Sequence, residues 1–483
     1  MSERKNKKVA KRAVSPAVFP QATSCFTVAI VGGGASGIAA ACAIAAYVRT
    51  SDLQLRVVMI EQGRKIGSSI LRSGNGRCNF SHANIDSSAF NQPSFVDEVF
   101  KSLEDAYASS SYASSDRTEQ ASAFVLHAPA VRSNAVLRWF SELGLVWREA
   151  AHTDGLLYPF SNKATSVLEV LRAELDRFSV ERAVGIEVTR IRKENDRFSL
   201  QLQDALDSAR SASFAADAVV FAAGGQTAGP LCASGLIEDA AFTPLCSVLG
   251  PLRTDTHFLK GLDGIRVRAR LSCPNSSFSE EGEVLFRTYG ISGIVVFNAS
   301  RFVEPGDVVV LDLAPDLSIA SLNELLLDRA QSYESRIGQA LTYEGLLRGF
   351  FLPELAAALL HRSDLSARDL CIAPERRVQE QGIAHIASCI KCFELAVVGR
   401  GDEKQSQVHR GGLRVSEIDS KTMEVARIPG LYVTGEALDV DGPCGGFNLH
   451  WAWASGLLAG LSIAHRALDR LNEDAESGEC EEQ

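Results

Sequence analysis

Gly32, Gly34 and Gly37 stand in GxGxxG spacing, directly behind the apolar run Val28 to Val31 and ahead of the small residues Ile38 to Ala46. Between a strand and a helix each glycine has a task. The first permits the tight turn, the second lets a backbone approach a pyrophosphate, and the third lets helix and strand pack closely. The helix N-terminus behind them offers free N–H groups and positive potential. A plain structural turn would use the same glycines, but Glu61 ends the next apolar run 24 residues past Gly37. An acid there accepts hydrogen bonds from ribose hydroxyls and disfavours a 2′-phosphate, so FAD or NAD is expected over NADP.

The far end of the chain decides between those two. Gly430-Leu-Tyr-Val-Thr-Gly435-Glu436 places an acid after a strand and a glycine, where it suits a ribityl hydroxyl. In Leu438 to Gly456, Gly445 and Gly446 open a helix at Phe447 and Asn448 whose N-terminus can face a flavin. Reduced flavin carries negative charge, which a helix N-terminus stabilises by about 0.3 to 2 kcal/mol. Gly224 and Gly225, after the apolar run Ala218 to Ala222, likewise allow a close backbone approach.

Cys389 and Cys392 have CxxC spacing with His385 upstream, which raises a redox dithiol or a metal site. With no second CxxC, and with the segment reading as a helix end running into the strand Phe393 to Val398, buried structural thiols are expected. Cys78 has no base beside it in sequence and is left out of catalysis. Trp451 and Trp453 read as core.

Those residues need a strand-turn-helix-strand unit, an antiparallel excursion over Val184 to Leu202 turning at Lys193 to Asp196, and a returning strand and helix near the C-terminus. The fold class expected is α/β, a Rossmann-like FAD-binding domain interrupted by an inserted mixed α/β domain. The division reads as 1–24 disordered basic tail, 25–250 and 405–468 FAD-binding domain, 251–404 inserted substrate domain and 469–483 acidic tail. Tyr107 to Ser115, rich in Ser and Ala, reads as an exposed insertion, and the last helix as about Asn448 to His465. At 483 residues, 46% hydrophobic and 22% charged, the chain suits a globular protein of two or three domains. A net charge of −10 argues against nucleic acid as a partner. No stretch approaches a membrane span, and eleven cysteines, an odd number, suit reduced thiols in the cytoplasm.

Val28 to Ala40, Ser73 to Asn79, Tyr158 to Ala164, Leu285 to Gly293, Glu417 to Met423 and Gly435 to Gly456 together resemble the HI0933-like (YhiN/BaiN-type) NAD(P)/FAD-dependent oxidoreductases. The resemblance implies that Gly32, Gly34, Ala35, Ser36 and Gly37 cradle the FAD pyrophosphate. Glu61, with Gln62 beside it, would take the ribose, and the Val188 backbone the adenine. The loop Arg72 to Asn79, through Arg72, Asn75, Gly76, Arg77 and Cys78, would approach the pyrophosphate and flavin. It further implies hydride delivery from NADH or NADPH, as transient donor, through FAD to an unsaturated or carbonyl-containing small molecule, a BaiN-like enoyl reduction. Tyr289 is the candidate proton donor and Arg77 a second catalytic candidate. Thr288 stands where the family's pattern has a histidine, which puts histidine-based proton transfer in doubt, and His409, at a more usual threonine, reads as satisfying a loop hydrogen bond. An FAD-dependent oxidase using oxygen and an FAD-binding RNA-modification or assembly factor are the rival readings.

Overall fold

The structure, a computed structural model, describes residues 16–21, 23, 25–48, 55–109, 134–151, 155–225, 229–233, 235–337, 341–369 and 376–479. It divides into two compact units, Met1–Leu245 with Gly411–Gln483, and Cys246–Arg410.

The first unit is built on strand β1 (Phe26–Val31), helix α1 (Ala35–Val48), strands β2 (Leu55–Glu61), β3 (Glu181–Val184), β4 (Ala218–Phe221) and β5 (Leu431–Val433), and helix α2 (Phe447–Glu479). The strands form one parallel sheet in the order β5-β4-β1-β2-β3. Val31 lies opposite Phe221 and Ile60, and Phe221 opposite Val433, so four strands finish at one level. From β1 the order runs one way to β2 and the other way to β4. Parallel sheets bind ligands beyond the carboxyl ends of their strands at such a reversal.

Val28 to Val31 and Ala218 to Phe221 are buried throughout, as befits parallel strands covered on both faces. Helix α1 is apolar on every side because every side is covered: Ile38 to Ala45 are all buried. It meets α2 at backbone distance. A methyl on Gly456 would lie 2.2 Å from Ser36 O, and one on Gly460 2.6 Å from Ala40 O. Strands Ile186–Glu194, Arg197–Asp204 and Ser211–Ala216 form the antiparallel excursion, turning at Asn195 with φ 53°.

Three expectations change. Tyr107 is no insertion residue: it sits buried on the helix Pro93–Ser109 and donates to Glu142 Oε2 at 2.6 Å, while 110–115 lie outside the described residues. The last helix continues to Glu479. The N-terminal segment docks before residue 25, since Asp204 Oδ2 accepts from Ala17 N and Arg210 Nη2 donates to Ala17 O.

The second unit holds a closed six-stranded barrel. Leu252–Thr254, Gly290–Ser292, Ser279–Arg287, Arg266–Ser272, Val308–Asp312 and Phe393–Arg400 follow one another around it, the last pairing back to the first. Leu252, Leu271, Val284, Phe286, Val309, Leu311, Phe393 and Leu395 belong to its core, and helices Ile319–Ile337, Pro353–Arg362 and Arg376–Lys391 complete the unit. The sequence shows short strands and helices here; ring closure depends on pairings such as Leu252 with Arg400, which no local period reveals.

Candidate functional site

At the end of β1, Gly32 has φ 109°, and a methyl on it would lie 2.3 Å from Ala222 O; one on Gly37 would lie 2.1 Å from Gly32 O. The protein's own backbone therefore demands glycine at both positions. Gly34 differs, because its nearest neighbour would be Ser69 Oγ at 3.5 Å, an ordinary contact. Nothing in the surrounding protein requires glycine at 34, so the start of α1 is open on that side.

Glu61 closes this turn. Its Oε2 accepts from Gly33 N and its Oε1 from Gly63 N, both at 2.7 Å, which ties the glycine turn to the end of β2. A carboxylate has about four lone-pair sites, so both oxygens can still accept hydroxyls. Gln62 beside it is exposed, Ala35 is half-buried, and Ser36 is buried under Gly435, whose methyl would meet Ser36 Oγ at 2.7 Å. Gly435 N donates to Ser455 Oγ, and Trp451 Nε1 donates to Gly435 O. Glu436 follows, half-buried. Gly224 has φ 80° with open space where a side chain would stand, and Gly225 is buried. Val188 is buried opposite Leu202, beside a register shift between Val188 and Arg190.

The loop from Ser73 is wound left-handed at Gly74, Asn75, Gly76 and Cys78. Arg72, Asn75 and Arg77 are exposed, and the Arg77 guanidinium lies 5.0 Å from the Tyr158 ring centre. Cys78 is fully buried, and burial pushes its thiol up to about 11, so it carries no thiolate at neutral pH.

Beyond Cys78 the chain is clamped to the start of α2. Trp453 Nε1 donates to Phe80 O at 3.0 Å, and Ser81 Oγ lies 2.8 Å from His450 Nδ1. A methyl on Gly446 would stand 2.3 Å from Ser81 O and 3.0 Å from Asn79 Oδ1. His82 Nδ1 accepts from Asn84 N at 3.0 Å, which assigns the ring proton to Nε2, and the ring packs on Phe447 at 4.9 Å. His450 is driven down to about 3 by burial first and by His82 second, so it is neutral. Asn448 holds its own loop: Oδ1 accepts from Gly442 N at 2.9 Å, and Nδ2 donates to Gly442 O and Pro443 O. Phe447 is buried. At this turn the side chains of Phe447 and Asn448 set the loop's shape, and the backbone of Gly445 and Gly446 is what α2 presents.

Sequence reasoning reached Asn79 only as the end of the Arg72 to Asn79 loop and missed Ser81, His82 and His450. Their contacts join residues as far as 369 positions apart, and no short motif carries them.

The remaining candidates lie in the second unit. Tyr289 is half-buried in the turn between Ser279–Arg287 and Gly290–Ser292, not in the barrel core, and its hydroxyl donates to Gln405 Oε1 at 3.4 Å. His409 Nε2 lies 3.6 Å from Glu403 Oε1. Cys389 is buried but Cys392 is exposed, which corrects the expectation that both are buried. Burial chiefly pushes both thiols up, and no metal-holding cluster occurs among the described residues.

A dinucleotide fits the first unit. Gly34's open flank, the Glu61 carboxylate and the glycine turn heading α2 offer a pyrophosphate seat, a ribose acceptor and a second helix N-terminus.

The HI0933-like protein Rossmann domain matches residues 109–462. The chain belongs to this family. It is 30% identical over 91% of its length to the 3-dehydro-bile acid delta(4,6)-reductase of Clostridium scindens, covering 99% of that protein. It is 26% identical over 90% of its length to the ribosomal RNA dihydrouridine synthase of Haemophilus influenzae, covering 98% of it. Among solved structures, a flavocytochrome c3 fumarate reductase superposes over 92% of this chain and 79% of its own, at 14% identity and a TM-score of 0.40.

Proposed function

We propose that this FAD-dependent oxidoreductase takes hydride from NADH or NADPH and delivers it to a conjugated carbon–carbon double bond of a small molecule, an enoyl-type reduction. The observation that carries the reading is the relative 30% identical over 91% of the chain, a reductase of a dehydro-bile acid. Bound FAD would supply a hydride acceptor and donor at N5. The chain's own residues bind and orient. The α1 N-terminus at Gly34, Ala35 and Ser36 takes the pyrophosphate, Glu61 the ribose hydroxyls, Glu436 a ribityl hydroxyl, and the Gly445–Gly446 backbone the flavin's pyrimidine edge. Tyr289 donates the proton that the second carbon requires, from its hydroxyl oxygen. Arg77, charged and exposed, offers an electrostatic contact to an anionic group. A cytoplasmic setting suits the nine described cysteines, which are all free. No helix among the described residues is long and apolar enough to cross a membrane.

The test is the absorption of the purified protein near 450 nm, without oxygen, before and after NADH or NADPH, followed by enone substrates. A yellow protein that bleaches and is reoxidised by an enone bears the reading out. A protein that cannot be reconstituted with FAD rejects it.

The dihydrouridine synthase relatives favour a second substrate, since making dihydrouridine also reduces a double bond conjugated to a carbonyl. Against it stand the net charge of −10 and the pairing of three exposed barrel arginines, Arg266 with Glu283, Arg268 with Glu281 and Asp316, and Arg270 with Glu281. Dihydrouridine in ribosomal RNA incubated with the reduced enzyme, read by nucleoside mass spectrometry, would select this reading.

A further inference from the structure

Asn79 is the one residue of the clamped segment whose side chain does nothing for the protein. No described residue hydrogen-bonds it, and its Oδ1 is buried without a partner. Its neighbours are fixed firmly: Phe80 O by Trp453, Ser81 by His450, and Asn79 N against Gly74, where a methyl would come within 2.9 Å. The preceding residue, Cys78, is held at φ 57°, a strained conformation for a side-chain-bearing residue. Oδ1 is walled in beside Gly446, so the end of the amide left to meet a ligand is Nδ2, which only donates. An unpartnered amide held by this much surrounding structure, next to the turn that heads α2, is a binding group.

We propose that Asn79 donates a hydrogen bond from Nδ2 to an acceptor atom of the isoalloxazine ring, a carbonyl oxygen or ring nitrogen, and so raises the potential at which the cofactor is reduced. This rests on the FAD reading above. The direction follows from charge. Ring acceptors gain electron density on reduction, so a fixed donor holds the reduced form more tightly than the oxidised one.

The experiment uses the full-length protein with FAD bound, as wild type, Asn79→Leu and Asn79→Asp. Midpoint potentials are measured by dye-coupled anaerobic reduction, and melting temperatures without FAD. Asn79→Leu keeps the shape and removes the donor. Its expected effect is a potential lower by about 30 mV, which for a two-electron couple is a tenfold greater loss of affinity for reduced than for oxidised FAD. The FAD-free melting temperature should be unchanged. Asn79→Asp, which places an acceptor and a charge there, should shift the potential further in the same direction, and it decides the matter if the leucine variant does not fold. A fixed potential in both variants, or a changed melting temperature with a fixed potential, overturns the proposal and leaves Asn79 a packing residue. A wild-type protein that binds no FAD overturns the underlying reading as well, so the two failures are distinguishable.

Discussion

In the parallel-sheet unit the groups that matter are backbone and small: Gly32, Gly37, Gly446, Gly456 and Gly460 each touch another stretch of main chain, and buried polar side chains lock the loops at one end of the sheet. In the barrel unit the core is aliphatic and aromatic, with contacts such as Phe286 to Phe393 at 6.3 Å, and exposed Arg–Glu pairs such as Arg266 with Glu283 lie on its outer surface. The close glycines of the barrel, Gly290 and Gly293, belong to one hairpin and its exit. The difference separates tolerance from demand. An aliphatic core accepts many side chains of similar volume, whereas a glycine pressed on a carbonyl accepts no substitute.

The sharpest way to break that contrast is Gly37→Ala. Its methyl would stand 2.1 Å from Gly32 O, and the expected result is complete loss of 450 nm absorbance in the purified protein. A barrel truncation such as Leu395→Ala, though costing about 2–5 kcal/mol, should leave the folded fraction yellow. A yellow Gly37→Ala protein would erase the distinction.

Tyr289→Phe asks whether the barrel unit contributes chemistry at all. As proton donor it should slow substrate reduction by about 10²-fold while flavin bleaching by NAD(P)H keeps its rate, measured separately by stopped flow. Equal rates in both steps would confine chemistry to the sheet unit.

A smaller effect comes from His450. Its folded value is about 3, below the ordinary histidine value of 6.5, so between these the unfolded chain binds a proton that the folded one refuses. Stability is therefore unaffected above about 6.5 and is lost as pH falls toward 3, at up to about 1.4 kcal/mol per pH unit. Denaturant melts of wild type and His450→Gln from pH 7 to 4 should diverge in that window, the variant being less acid-sensitive. Parallel curves would place no buried neutral histidine there.

Least of all should Arg268→Ala matter. Its guanidinium sits among acids on an exposed strand, and the melting free energy should change by no more than about 0.5 kcal/mol. A larger loss would mean that the barrel surface is as exacting as the sheet edge.

The Rossmann-like core was legible because its signals are local: Gly32, Gly34 and Gly37 between an apolar strand and a small-residue helix, and Glu61 one strand later. The far glycines, Gly435, Gly445 and Gly446, were legible for the same reason. The barrel was not, since its closure pairs Leu252 with Arg400 and no periodicity crosses such a distance. The clamp on the Asn79–His82 segment was invisible too. Ser81 and His450 are unremarkable in their own surroundings, and only the fold brings them to 2.8 Å. Tyr107 misled for the opposite reason: its Ser- and Ala-rich sequel looked like a loop, while its ring is core.

Helix α1 is packed on α2, whose residues come last. During synthesis, β1, α1 and β2 leave the ribosome long before the helix that covers them, and the whole barrel, with its own core, emerges in between. The barrel can fold while the chain is still growing, whereas the glycine cradle waits with one wall missing. Cofactor capture is therefore a late event in the life of each molecule, and a ribosome stalled before β5 would release a protein with a finished barrel and no colour.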